Sequence, residues 1–510
     1  MPTHSLTPLF YRRLDLTSQV RMRIASMVLY FSSPGLVLRL SNKYSVTPQF
    51  IYNLRTELAE LAEKNFGSKS KELRLGNKEE SLRYALSLRL EGKSALEGIS
   101  TLMKRFGIKY NSVGFISQEL ERIGQVQGNI LGLPNSGVRV VLCSDEIFAK
   151  KQAILLTVDP LSLAILHIEL STNRKGETWD AHWKGILQEG YEPLYLCNDE
   201  GLGMSSGQAT ALEGLERQSD TFHAVSHRLG AWVERLEKKA MTSIEAEYEC
   251  ERLVGAAKTE ATWEKRYANY QTAQKKAKVD IEQFDSFTFL YHCLLSAFDI
   301  FDAKGELKDS DKVLSDFNLA LDLMHSMGHA QINKELKSIE ACKTDLFHFL
   351  SVANKTVSRL KDIVPPNILK ILCLAWQTHK KSIKAKLSGR KNALKTKEAL
   401  LLTAIPLLAQ DAFDTGDKET QAREFKEIVY GQLSQIIQSS AAVECVNSIL
   451  RPYLNTSKNQ VTQSALNLFM AYHNHRRFKA GERKGRTPFE ILTGHTQDED
   501  WLDRMLRKAA

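Results

Sequence analysis

Paired cysteines are missing from this chain. The seven present, Cys143, Cys197, Cys250, Cys293, Cys342, Cys373 and Cys445, are scattered through 510 residues without any C-x-x-C spacing. That argues against a disulfide framework or a zinc finger and fits a reducing cytosol. Long apolar runs are missing too. No uninterrupted stretch approaches the ~18 residues a membrane span needs, and the opening segment MPTHSLTPLFYRRLDL lacks an apolar signal core. The expectation is a soluble cytoplasmic protein with no membrane partner.

What is present is globular in composition, with 43% hydrophobic and 25% charged residues. The length suggests about three or four domains. A net charge of +9 leans toward a polyanionic partner without naming one.

Residues 16–66 read as helices. In PGLVLRLSNKYSVTPQFIYNLRTELAEL, an apolar helix ends at Tyr44 and a turn follows at Ser45-Val46. Thr47 is placed to cap the next helix, with Pro48 at its first position. Phe50, Ile51, Leu54 and Leu58 recur at helical spacing, leaving Gln49, Tyr52, Asn53 and Arg55 on another face. This is the helix-turn-helix pattern, and those four polar side chains are the candidate DNA contacts; two ordinary packed helices would give the same signal. The pattern recurs in SALEGISTLMKRFGIKYNSVGFISQELERIG, where Gly107 supplies the turn. The charged stretch GSKSKELRLGNKEE is expected to link the two units.

From Val138 the period changes. VRVVLCSDEIF, KQAILLTVDP and LAILHIELS read as three strands joined as an antiparallel meander. The helix TWDAHWKGILQEGY, the strand EPLYLCNDEGLG, the helix SSGQATALEGL and a fifth strand in DTFHAVSH follow, giving β-β-β-α-β-α-β. Charged helices then fill residues 231–440, broken at Pro365-Pro366. A segment that long is an all-helical insertion, not a loop.

Three acids stand out by position: Asp145 on the first strand, Asp199 at the end of the fourth, and Glu444 on a helix after the insertion. Strands one and four can be neighbours in such a sheet, and a helix over it can add the third acid. Clustered carboxylates repel one another and lose hydration. Two divalent cations ~4 Å apart would relieve this, and oxygen-only donors suit Mg²⁺ or Mn²⁺. Such a centre performs in-line phosphoryl transfer. Taken singly, each acid also has a plain reading: Asp199 as a turn residue, Asp145 as a partner of Lys150 or Lys151, Glu444 as a surface residue.

The element order with these acids resembles the DDE transposase and integrase superfamily, with its ribonuclease-H-like core. In ECVNSILR, Arg451 follows Glu444 by seven residues, similar to the Glu-x6-Lys/Arg pattern of these enzymes, and Asn447 shares the helical face. The tail YHNHRRFKAGERKGRTPFEILTG is similar to the ends of bacterial insertion-sequence transposases. The resemblance implies a multidomain α plus α/β chain. Residues 1–72 and 73–130 would be two helix-turn-helix units, and 131–230 and 441–494 the two parts of the core. Residues 231–440 would be the insertion and 495–510 a C-terminal helix.

It further implies a DDE triad of Asp145, Asp199 and Glu444 holding two Mg²⁺ or Mn²⁺ ions. Its partner would be double-stranded DNA, both element ends and target, bound by a homo-oligomer that is at least a dimer, close to the bacterial nucleoid. Asn447, Arg451, Asn474, Arg476, Arg477, Lys484 and Arg486 would contact DNA, with His473 and Lys479 beside them. The match, not the spacing, selects Asp145 over Glu146 and Asp199 over Glu200, since neighbours on a strand face opposite ways. Pro452 is expected to disturb the helix beyond Arg451. His223 and His227 would share one strand face, with His223 as a residue near the scissile phosphate or simply packed. The rivals are a catalytically silent, domesticated DNA-binding protein of the same fold and a nuclease without strand transfer.

Overall fold

A computed structural model of the chain describes residues 16–31, 33–66, 77–128, 137–199, 201–408, 418–458 and 460–509. Glu200 lies outside the described residues, as does the part of the charged link at 67–76. The chain divides into two compact units, 1–76 with 107–109, and 77–106 with 110–510.

In the first unit, helices α1 (Ser18–Tyr30), α2 (Leu36–Tyr44) and α3 (Pro48–Phe66) bury Ile24, Leu40 and Ile51 against one another. Ser45 takes a left-handed conformation with φ 50 that ends α2. The Phe50 N–H donates to Thr47 Oγ1 at 3.2 Å, the expected cap of α3. Gln49, Tyr52, Asn53 and Arg55 are all exposed.

The second unit starts with α4 (Lys78–Leu90), α5 (Leu96–Arg105) and α6 (Val113–Gln127). The last residues of the expected link in fact begin α4, because Asn77 Oδ1 accepts from the Glu80 N–H at 2.8 Å and caps it.

The strands are β1 (Val138–Ala149), β2 (Gln152–Val158) and β3 (Ile165–Ser171). Helix α7 (Gly176–Gln188), strand β4 (Tyr191–Asn198), helix α8 (Leu202–Ala211) and the short β5 (Arg217–Ser219) follow. They form one mixed sheet in the order β3-β2-β1-β4-β5. The β1–β2 and β2–β3 pairs are antiparallel, while β1–β4 and β4–β5 are parallel. The fifth strand falls earlier than its apolar pattern suggests. Residues Phe222–His227 form a π-helix, and β5 lies just before it. Buried Asp220 decides this, its Oδ1 accepting the Phe222 and His223 N–H groups at 2.7 and 3.0 Å and turning the chain into a helical start.

The π-helix runs directly into α9 (Arg228–Gly255), which pairs with α10 (Glu260–Ala297). Helices α11 (Ser310–Ser326), α12 (Ala330–Leu346), α13 (His348–Lys361), α14 (Pro366–Lys384), α15 (Ser388–Leu408) and α16 (Lys418–Leu433) complete the insertion. Phe287, Leu294, Phe317, Leu336, Phe349 and Leu372 lie in its core. The break at Pro365-Pro366 falls between α13 and α14 as the sequence suggests.

The chain then returns to the sheet with α17 (Ala441–Thr456) and α18 (Gln463–His475), and ends with α19 (Pro488–Thr493) and α20 (Trp501–Ala509). Helix α17 does not stop at Pro452. The bond lost there leaves the carbonyl of Ser448, an exposed residue that water can satisfy, while buried Tyr453 and Leu454 hold the last turn on the core. Helix α7 covers one face of the sheet with Trp179, Trp183 and Ile186, and α17 and α18 pack against β1, β2 and β3. All seven cysteines are free. Among the described residues no helix is long and apolar enough to cross a membrane.

Candidate active site

Alternation along β1 sends Val140 and Leu142 into the α7 core and therefore Val141, Cys143 and Asp145 to the opposite face. Cys143 is in register with Cys197 and Ser144 with Asn198. Asp145 and Asp199 are the next residues beyond the last pair, and the charge of Asp199 acts on Asp145. Helix α17 crosses above them and carries Glu444 in its first turn and Asn447 one turn on. The parallel β1–β4 pair and the returning helix thus bring three acids from distant parts of the chain to one end of one face.

Asp145 is the most constrained of the three. Its Oδ1 accepts from the Glu146 N–H at 2.8 Å, and its Oδ2 accepts from Asn447 Nδ2 at 2.7 Å. Burial, with the charges of Glu444 and Asp199 added, pushes its carboxyl up to about 7. Asp199 is held through its backbone. Arg217 donates to the Asp199 carbonyl at 3.0 Å, to Asn198 Oδ1 at 3.0 Å and to Ser205 Oγ at 3.1 Å, while Asp199 Oδ1 accepts from the Gly201 N–H at 3.2 Å. Glu444 is 45% exposed at its side chain and lies 3.9 Å from His223 Nε2. The other ring nitrogen of His223 is 3.2 Å from Asp220 Oδ2.

Glu146 faces away from Asp145, as alternation requires, and pairs with Arg174 at 2.6 Å. His223 and His227 sit on the π-helix with ring centroids 5.6 Å apart, so their shared strand face does not exist.

The expected DNA contacts divide sharply. Arg451, Lys479, Lys484 and Arg486 are exposed. Asn447 is buried at 1% exposure against Asp145 and presents nothing to a duplex. Asn474 is a structural bracket, accepting the Ile165 N–H at 2.8 Å and donating to the Ile165 carbonyl at 2.9 Å. His473 is fully buried on the Leu163 carbonyl. Arg477 donates to Glu490 at 2.9 Å and to the Gly485 and Gln497 carbonyls, closing the tail on itself. Arg476 is half-buried over the Tyr472 ring. The polar tail pattern thus mixes fold-holding side chains with free ones, and periodicity does not separate them.

Sequence reasoning missed Arg217, Asp220 and Arg174. Their only signal was a charged residue bordering an apolar run, which surface residues share.

The three acids do not form a closed cage. Among the described residues, the only group of three or more His, Cys, Asp and Glu side chains whose donor atoms all lie within 4.8 Å of one another is His167, Glu169 and His182, a group that could hold a metal ion. The donor set of the acid site is carboxylate oxygen alone, which suits a hard divalent cation, and the upward shift of Asp145 is the electrostatic strain a cation would relieve. No protein-family model matches this chain, and a search of curated proteins finds no significant match.

Proposed function

We propose that this protein is a DDE-type transposase with a ribonuclease-H-like catalytic core, cleaving and joining DNA at the ends of its element. The observation that carries the reading is the meeting of Asp145, Asp199 and Glu444. The strand order β3-β2-β1-β4-β5 and a helix that returns after a long insertion bring them to one face. The exposed polar face of α3 supports end recognition, and the exposed Arg451, Lys484 and Arg486 support phosphate contact.

Two Mg²⁺ or Mn²⁺ ions, when bound, would activate a water or 3′-hydroxyl and stabilise the leaving oxygen of a phosphodiester. Asp145, Asp199 and Glu444 would hold them. Asn447 fixes the Asp145 carboxylate, and Arg217 fixes the backbone at Asp199. His223, oriented by Asp220, keeps Glu444 near the site.

The silent, DNA-binding reading has one observation in its favour: the three carboxylates do not converge as closely as the histidine group does. Incubating the protein with DNA carrying the sequences that flank its gene, plus Mg²⁺, separates the readings. Nicking and joining that Asp145→Ala and Glu444→Ala abolish support a transposase. Nicking without joined product supports a nuclease, and binding without cleavage in Mg²⁺ or Mn²⁺ supports the silent protein.

A further inference from the structure

On the face of the sheet away from the acids, β3 and α7 place two imidazoles and a carboxylate together. His167 and Glu169 are two residues apart on β3, so both point toward α7. His182 comes down from α7 and is fully buried, with 0% side-chain exposure. His182 Nδ1 lies 3.4 Å from Glu169 Oε2, and His167 Nε2 lies 3.9 Å from the same oxygen. Around a zinc ion with donors ~2.0–2.1 Å away in a tetrahedron, neighbouring donors are roughly 3.3 Å apart. The 3.4 Å spacing is close to that edge length and the 3.9 Å spacing is longer, so the donors would draw together on a bound ion.

The second observation is an orphaned atom. His182 Nδ1 is buried and has no hydrogen-bond partner, although it is aimed at Glu169. Its Nε2 is engaged with Thr157 Oγ1 at 2.9 Å. Either protonation state leaves a defect. A proton on Nδ1 finds no acceptor in hydrogen-bond geometry, and a bare Nδ1 sets a lone pair against a carboxylate. A cation between them removes both problems. The surroundings are those of a metal-binding histidine. Thr157 steadies the far nitrogen of His182, and Glu189 Oε1 lies 4.0 Å from His167 Nδ1, behind the ring. Glu169 is 36% exposed, which leaves room for a water as fourth donor.

We infer that His167, Glu169 and His182 form a binding site for a borderline transition-metal ion, Zn²⁺ by donor chemistry, which ties β3 to α7. This centre is separate in location and in donor type from the carboxylate site, and it does not rest on the transposase reading. Two imidazoles favour zinc over magnesium, while the acids favour the reverse. The Thr157 hydroxyl also touches Ser144 Oγ at 2.8 Å, and Ser144 precedes Asp145. The ion would therefore brace the strand that presents the first acid without touching it.

The test uses the full chain carrying Asp145→Asn, stripped with a chelator and titrated with Co²⁺. A tetrahedral nitrogen–oxygen site gives a strong visible absorption that octahedral carboxylate sites lack. One equivalent should develop this colour, and one equivalent of Zn²⁺ should bleach it. His167→Gln and Glu169→Gln change partly exposed, shape-compatible positions and should each weaken binding by about 100-fold. Glu189→Gln, behind the ring, should weaken it by about 10-fold. Absence of the absorption in the Asp145→Asn protein overturns the site. So does an unchanged absorption in folded His167→Gln and Glu169→Gln proteins, folding being read by circular dichroism.

Discussion

The two faces of the five-stranded sheet are made by the same residues counted alternately, yet they are built on opposite terms. The α7 face is closed by Trp179, Trp183 and Ile186, and a chain of polar contacts runs through it: Trp183 Nε1 donates to Ser144 Oγ, which meets Thr157, which meets His182 Nε2. The α17 face carries like charges at its end, with Asp145 strained upward to about 7. One face contributes stability and the other gives some up. If the acids hold cations as proposed, the site cannot also be at its electrostatic minimum without them, and the cost falls on this face.

That contrast can be broken most directly at Asp145. Replacing it by Asn should lower strand cleavage by about 10³-fold or more, the scale of losing a principal charge-stabilising group, in a gel assay of end cleavage. It should not destabilise the fold. The carboxyl is raised from its ordinary value, so its contribution to stability is complete below pH 4 and is lost as pH rises through about 7. Denaturant midpoints should therefore favour Asp145→Asn over the parent above pH 7, and the two should converge near pH 4. Mg²⁺ should narrow the difference at high pH.

The opposite outcome is expected across the sheet. Trp183→Ala should cost about 3–5 kcal/mol in urea denaturation, since the ring is fully buried and holds Ser144. Gly207→Ala is a milder test of the same face. A Cβ there would meet the Trp179 Cβ at 2.7 Å and the Gly176 carbonyl at 2.8 Å, so overpacking of about 1–3 kcal/mol is expected. A loss of cleavage from Gly207→Ala larger than its loss of stability would show that the faces are not independent.

The smallest effect lies off the sheet. If about six phosphate contacts form, the log–log dependence of DNA affinity on salt has a slope near −5, and Lys484→Ala or Arg486→Ala should each flatten it by about 0.9. The same substitution at Asn474 should change stability instead, because that side chain holds Ile165.

The strands and caps were legible because their causes are local. Val, Ile and Leu alternate along β1 to β3, Thr47 precedes Pro48, and Gly107 takes φ 69 where a turn was needed. Element order suggests that acids on β1, after β4 and on α17 could approach one another, and the charges of Asp199 and Glu444 do act on Asp145; the choice of Asp over the neighbouring Glu comes from the resemblance. What failed depends on contacts across the chain. FHAVSH alternates like a strand, but Asp220 is fixed by Ser440, 220 residues later, and it caps a helix instead. Asn447 and Asn474 looked like polar surface until their partners, Asp145 and Ile165, arrived from the sheet. The histidine group left a faint trace in H-x-E on β3, but His182 joins it only through the packing of α7.

The Asp220–Ser440 contact has a consequence beyond the turn it stabilises. Asp220 Oδ2 accepts from the Ser440 N–H at 2.8 Å, and the Thr221 N–H donates to the Gln438 carbonyl at 3.1 Å. Entry and exit of the whole helical insertion are thus stitched side by side. A detour whose two ends coincide can change length without moving the road it leaves, so a shortened insertion that returns to the same seam is expected to leave the sheet in place. The same Asp220 also contacts His223, which lies 3.9 Å from Glu444, so the seam and the third acid share one chain of contacts.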